Sequence, residues 1–213
     1  MRRTAMSTNV LSHPLLEHKL ALLRSVGTST KDFRELVAEI STIIVYEALY
    51  DAPTIPTVIK TPMGRTKGTL VDSDNFVFVP ILRAGLGMME GVLQIMPNAK
   101  FGHIGLERDD STLEAHSYYF KMPRHLETKT ACIIDPMLAT GGSACAAIKE
   151  LKAAKTAKIK LLTIVAAPEG IERIEEEYPD VEIYTAVVDE YVNSQGFIVP
   201  GLGDAGDRIF GTG

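Results

Sequence analysis

The chain has 213 residues, 46% of them hydrophobic, and a formal net charge of −5. That length can bury a full α/β core, and the acidic balance argues against a general nucleic-acid binder, which needs a concentrated basic surface. The two cysteines, Cys132 and Cys145, have neither CxxC nor Cys/His spacing, so they are expected as small core residues in a reduced compartment and not as metal ligands.

The opening Met-Arg-Arg-Thr-Ala-Met has no apolar signal-peptide core, and no uninterrupted apolar run approaches membrane-spanning length. A soluble cytoplasmic protein without a membrane partner is expected. His13-Pro14 precedes Leu15, Leu16, Leu20, Leu22 and Leu23 at helical spacing, with Gly27 placed as a stop. Thr30 is the expected cap of a second helix, whose Phe33, Leu36, Val37, Ile40, Ile43 and Ile44 recur on one face. Residues 57–64 and 68–71 read as a β-hairpin. Strands and helices then alternate: a strand over 76–82, a helix over 86–96, a strand over 101–106 and a long polar segment. A strand over 130–134, a helix over 142–154, a strand over 159–166, a helix over 168–178 and a strand over 181–188 follow. Continuous apolar strands alternating with helices predict a parallel central sheet flanked by helices. Ligands of such sheets bind beyond the carboxyl ends of the strands, where Arg83, Arg108, Asp135 and Glu169 fall.

The most informative stretch is Ala131-Cys-Ile-Ile-Asp135-Pro136-Met137-Leu138-Ala139-Thr140-Gly141-Gly142-Ser143. An apolar strand ends at an acid, and a Gly-rich turn opens the next helix. Such a junction collects free N–H groups at the positive end of a helix dipole, which suits a phosphate. Thr140 and Ser143 add hydroxyl donors, and Asp135 can accept hydrogen bonds from sugar hydroxyls beside that phosphate. A phosphorylated sugar is the ligand this pattern indicates. Pro80-Ile-Leu-Arg83-Ala-Gly85-Leu-Gly87 is a second such junction, where Arg83 and nearby N–H groups can hold another anion. On its own it also fits an ordinary turn with one surface arginine. Two such junctions on neighbouring strands would let one ligand with two phosphate groups bridge them.

The polar segment after Glu107-Arg108 reads either as a mobile lid over 109–122 hinged at Arg108 or as a solvated connection. Six glycines fall between Gly196 and Gly213, too many for a helix or strand interior, which predicts an ordered loop offering backbone groups. Gly201-Leu-Gly203-Asp204-Ala205-Gly-Asp-Arg208 can pair main-chain N–H and C=O groups with a planar base. The five histidines have no metal spacing and receive no role. Ser143 lacks a partner base for a nucleophilic triad. Lys60, Lys67 and the lysines of 152–160 read as solvated helix or loop ends, and Glu172–Glu177 as an exposed helix face.

Taken together, these motifs resemble the phosphoribosyltransferases over essentially the whole chain, and within them the uracil-using branch. The stretches most specific to that branch are 135–143 and Pro200-Gly-Leu-Gly-Asp-Ala-Gly206. The wider superfamily usually shows two adjacent acids in the phosphoribosyl loop. This chain has Asp135 then Pro136, and Ala139 where many purine relatives carry an acid, departures that speak against a purine substrate. The resemblance implies one domain over 1–213, with N-terminal helices over 1–50, an α/β core over 76–190, a small β-hairpin arm and a Gly-rich C-terminal hood over 191–213. It implies the substrates uracil and phosphoribosyl diphosphate (PRPP), products UMP and diphosphate, and a place in pyrimidine salvage. Asp135 to Ser143 would hold the ribose 5-phosphate portion, Arg83 and Arg108 the diphosphate, and Asp204 would also approach PRPP. Ile198, Gly203, Asp204 and Ala205 would hold uracil. Mg2+ would ride on the diphosphate with no dedicated protein cage. A homodimer or homotetramer and a GTP effector belong to the same implication. The competing reading is a PRPP- or nucleotide-sensing regulator that retains the fold. A small-metabolite kinase is disfavoured because no Gly-x-x-x-x-Gly-Lys-Ser/Thr loop occurs.

Overall fold

The computed structural model describes residues 8–108 and 115–212. Its first element is a short strand that no sequence pattern marked, β1 (Thr8–Val10), which runs parallel to a strand near the other end of the chain. Helix α1 (Pro14–Arg24) starts on its proline, with His13 Nδ1 accepting the Leu15 N–H at 3.1 Å. Helix α2 (Thr30–Ala48) buries Phe33, Leu36, Val37, Ile40 and Ile44 on one face. Its cap is Ser29, not Thr30: the Ser29 side chain accepts the Asp32 N–H at 3.1 Å from an extended backbone, the geometry an N-cap requires.

The hairpin pairs β2 (Thr54–Thr61) with β3 (Gly64–Val71) and is mostly exposed on both faces. The core strand β4 (Phe76–Leu82) leads into a 3-10 turn over Ala84–Met88 and then α3 (Met89–Ile95). The helix expected over 86–96 therefore starts as a tighter turn, because the chain must reverse directly off the strand end. Strand β5 is His103–Arg108, shifted from the expected 101–106, and Phe101 contributes only an isolated bridge to Phe78. Next come β6 (Ala115–Lys121), β7 (Thr130–Ile134), β8 (Met137–Leu138), α4 (Gly142–Ala153), β9 (Lys158–Ala166), α5 (Pro168–Glu177) and β10 (Glu182–Val188). The chain closes with β11 (Tyr191–Val192), β12 (Ile198–Val199) and α6 (Ala205–Phe210).

The main sheet has the order β1-β10-β9-β7-β4-β5-β6, with β8 paired to β9. All its pairings are parallel except β5–β6, which is antiparallel. Two segments take shapes that the pattern left open. Of the polar segment read as either a lid or a solvated connection over 109–122, residues 115–121 form an edge strand paired to β5; residues 109–114 lie outside the described residues. The tail expected as an ordered loop contains a short antiparallel ladder and a six-residue helix.

Alternate strand residues face opposite layers, as the pleat dictates. Phe76, Phe78, Cys132, Ile134, Leu162 and Ile164 pack with α1, α2, α3 and α6. Val77, Val79, Ala131, Ile133 and Leu161 pack under α4 and α5. Both cysteines are buried free thiols, and burial pushes Cys132 up to about 12. Lys160 departs from its expected solvated position. It is 1% exposed on β9 and is held by the Ala48 carbonyl and Asp51, with Glu182 at 3.6 Å. A buried ammonium persists only with such partners.

Candidate functional site

β4 and β7 are neighbours, with Pro80 registered on Ile134. From this pair the chain proceeds to β5 on one side and to β9 and β10 on the other. The reversal of strand order between β4 and β7 is the crevice where open α/β sheets take ligands. The two strand–turn–helix junctions follow the ends of these adjacent strands.

At the β7 junction, Asp135, Met137 to Ser143 and Ala144 line a pocket of about 100 Å³. Gly141, at φ +79°, is the residue from which α4 starts, and its carbonyl accepts the Cys145 N–H at 2.8 Å. The N–H groups of the first turn have no partner within the helix and face the pocket end. Asp135 retains partial solvent access, but protein surrounds its carboxyl, and burial raises it from the ordinary carboxylate range to about 7. The Met137 N–H, hydrogen-bonded to it, opposes that rise. Pro136 turns the chain with its carbonyl accepting both the Ile164 and Val165 N–H groups at 3.0 Å. The pocket therefore combines an anion-attracting helix end with one carboxyl that ionises near neutral pH.

At the β4 junction, Arg83 is exposed and follows a cis Leu82–Arg83 peptide, with its guanidinium 5.9 Å from the Phe210 ring centre. Gly85 makes the two junctions adjacent. A Cβ there would collide with the Ile134 carbonyl oxygen and sit 3.0 Å from Pro80 Cα. Only a hydrogen lets this turn nest against the end of β7. Arg108 ends β5, its backbone paired with Ala115; its side chain lies outside the described residues.

The tail is tied to the β4 turn and to α5 by two contacts. Ile209 of α6 packs over Gly87 of the β4 turn. On the other side, Glu169 Oε1 accepts the Val192 N–H at 2.9 Å, tying the β11–β12 ladder to α5. There the tight position is Gly170, where a Cβ would lie 2.5 Å from the Ala139 carbonyl. Successive contacts thus link the β7 loop to α5, α5 to the C-terminal ladder, and α6 to the β4 turn.

Within the tail, Ile198 faces Val192 at a position flanked by the Asn193 N–H to Phe197 carbonyl bond of 2.9 Å. In an antiparallel ladder the hydrogen-bonded and non-bonded positions alternate, so Ile198 turns its N–H and C=O away from β11. Its side chain is buried with Leu202, Ala205 and Ile209, leaving main chain as what it offers. Gly203 has φ +80°, Asp204 caps α6 by accepting the Asp207 N–H at 2.9 Å, and Ala205 is buried. Residues that no motif assigned a role, Arg24 and Asp189, hold this tail in place, with Arg208 beside them. Only the tertiary contacts reveal them. Among the described residues no group of three or more His, Cys, Asp or Glu side chains gathers to hold a metal ion, and no helix is long and apolar enough to cross a membrane.

The family model for uracil phosphoribosyltransferase matches residues 10–212. Among curated relatives, the uracil phosphoribosyltransferase of Dictyoglomus thermophilum is 52% identical over 203 residues, covering 95% of this chain and 98% of that protein. That of Enterococcus faecalis is 48% identical, covering 95% and 97%. A solved protein structure from Aquifex aeolicus superposes with a TM-score of 0.90 at 44% identity, covering 95% and 97% of the two chains. An adenine phosphoribosyltransferase from Trypanosoma brucei, solved with AMP, pyrophosphate and ribose-5-phosphate, shares the fold at a TM-score of 0.60 and 13% identity over 93% and 88%.

Proposed function

The chain belongs to the uracil phosphoribosyltransferase family, and from that premise we propose how its crevice converts uracil and PRPP to UMP and diphosphate in pyrimidine salvage. The reading is supported by the side-by-side placement of two strand–turn–helix junctions on adjacent strands, packed together at Gly85, and by a C-terminal tail whose α6 packs on the β4 turn. In this reading the chain is one domain, with the C-terminal hood over 191–213 serving the α/β core over 76–190.

In this reading the α4 N-terminus, with Thr140, Gly141, Gly142 and Ser143, holds the 5-phosphate. Pro136 to Ala139 shape the pocket wall, and ionised Asp135 accepts from the ribose hydroxyls. Arg83 and Arg108 take the diphosphate. Ile198, Gly203, Asp204 and Ala205 take the base, so that uracil N1 meets ribose C1. The N1–C1 bond forms as the C1–O bond breaks; the diphosphate leaves with the electron pair, and the N1 proton is released. Positive charge grows on the ribose ring and negative charge on the leaving group, so the chain's contribution is positioning and electrostatic stabilisation. Asp204, anchored as the α6 cap, approaches both substrates. With Asp135 the one carboxyl in the phosphate pocket, the residues present fit a magnesium ion that would be held mainly by the diphosphate itself and would supply offsetting charge for the leaving group.

Arg108→Ala is expected to lower turnover about a hundredfold with an unchanged melting temperature, the loss typical of one charged donor on a developing anion. Wild-type steady-state kinetics in that variant would remove Arg108 from the site. The overall reading is tested with purified protein, labelled uracil and PRPP, beside cytosine, hypoxanthine and orotate. UMP is the expected product, with kcat/KM for cytosine lower by at least about a hundredfold, because a pocket paired to uracil leaves polar groups unmatched. Equal use of cytosine would contradict the base assignment. The hairpin arm exposes Val58 by 66% and Met63 by 96%, apolar area that supports assembly as a homo-oligomer. The two buried free thiols favour a reduced, cytoplasmic setting.

A further inference from the structure

Main-chain recognition of a base requires a backbone that does not move, yet glycine-rich loops are the least rigid segments a chain can offer. The tail overcomes this with two arginines. Arg24, the last residue of α1, forms a bidentate pair with Asp189: Nη2 to Oδ1 at 2.6 Å and Nη1 to Oδ2 at 2.7 Å. Nη1 also donates to the Gly201 carbonyl at 2.7 Å, and Asp189 Oδ2 accepts the Gly201 N–H at 2.8 Å. One ion pair thus holds both main-chain groups of Gly201. Asp189 is itself fixed to the sheet, its N–H donating to the Ala166 carbonyl at 2.8 Å, and its side chain is 5% exposed.

The next residue is held as firmly. Arg208 Nη1 donates to the Leu202 carbonyl at 2.8 Å, while Nη2 reaches back to the Ser25 carbonyl at 2.6 Å. Its guanidinium lies 4.3 Å over the Phe33 ring. Two consecutive carbonyls, immediately before Gly203, Asp204 and Ala205, are therefore tied to the end of α1 by two guanidiniums. Gly201 has φ +60°, and a Cβ there would collide with the Ile198 carbonyl oxygen, so the two residues pack closely. Holding Gly201 consequently sets the position of Ile198 as well as of the three residues that follow.

We propose that the Arg24–Asp189 pair, seconded by Arg208, is the positioning device for the base-reading backbone, and that it governs uracil binding and pyrimidine choice while leaving PRPP binding largely alone. Arg24 and Asp189 are positioning residues: they touch the loop, not the substrate. This inference rests on the base-binding role assigned to the tail.

The test is steady-state kinetics of Arg24→Met, Arg24→Lys and Asp189→Asn, with uracil varied at saturating PRPP and PRPP varied at saturating uracil. Melting curves report folding. Arg24→Met is expected to raise the KM for uracil about tenfold or more, change that for PRPP less than about twofold, and narrow the uracil-to-cytosine ratio. Arg24→Lys, which keeps the charge but not the fork, is expected to fall between wild type and Arg24→Met. An unchanged uracil KM in folded Arg24→Met, or equal rises in both KM values, would overturn the proposal. If Arg24→Met does not fold, Arg24→Lys decides: a selective rise in uracil KM supports the proposal, and wild-type values refute it. Wild-type protein that turns over no uracil would instead refute the reading of the tail, and this inference with it.

Discussion

Asp135→Asn is expected to make the protein more stable above pH 7 and to cost it more than a hundredfold in turnover. Burial raises the Asp135 carboxyl to about 7 from an ordinary 3.8, so the fold disfavours its ionised form. The penalty is absent below about pH 4, grows as pH rises towards 7, and is constant above. Asparagine keeps the shape and an acceptor for the Met137 N–H but carries no charge to desolvate. The variant should therefore gain on the order of a few kcal/mol at pH 8 and almost nothing at pH 4. In a chain of this length that corresponds to a melting temperature higher by about 5–10 °C. The ribose hydroxyls meanwhile lose an anionic acceptor, a loss on the order of 3 kcal/mol in the barrier. Wild-type activity should decline as pH falls through 7 and Asp135 takes up its proton, a limb that Asp135→Asn lacks. Melting curves of both proteins at pH 4.5 and 8 check the stability claim. A variant no more stable than wild type at pH 8, or a difference independent of pH, would contradict it.

Gly85→Ala is expected to abolish measurable turnover and to lower stability by about 1–3 kcal/mol. The added methyl would collide with the Ile134 carbonyl oxygen and approach Pro80 Cα at 3.0 Å. Both obstacles are backbone in neighbouring strands, so the β4 turn must move instead. Arg83 rides on that turn, and a displacement of about 1 Å at a positioned group can cost a hundredfold on its own. Gly68→Ala is the matched control. On the hairpin arm, the new methyl would meet only the Ile59 side chain, at 3.4 Å, and near-wild-type behaviour is expected. Denaturant melts and PRPP-dependent kinetics of both variants separate a local misplacement from general overpacking. Normal kinetics in Gly85→Ala would mean that the two cradles do not need their close approach.

The contrast between Cys132 and Lys160, two positions that both face α2, explains where sequence reading succeeds. The run of 131–134 is apolar without interruption, and a buried parallel strand is its natural reading. Lys160 sits near the start of β9, whose remainder is largely apolar, yet its charge suggests solvent. Its partners, Asp51 and Glu182, lie on other elements, so no local pattern could announce that a buried ammonium would be matched. The edge strand β6 was missed for the opposite reason. Residues 116–120 are all exposed, so neither face imposes an alternation, and pairing to β5 alone defines the strand. The short α6 escaped notice because its Gly206 lowers helix propensity, while the Asp204 cap and burial of Ile209 stabilise it.

By itself the sequence determined the local chemistry: an apolar strand, an acid, a glycine turn and a helix start at 130–143, a similar junction at 80–87, and a glycine-rich tail. These are short-range features because a strand end and the following helix N-terminus are joined by a few residues, and their N–H groups point wherever the turn points them. Only the tertiary structure decided that the two junctions lie side by side, that contacts tie the tail to α5 and to the β4 turn, and that Arg24 and Asp189, 165 residues apart, hold that tail. Those relations depend on strand order and on main-chain hydrogen bonds between distant segments, whose partners are chosen by packing geometry and leave no spacing in the chain to read.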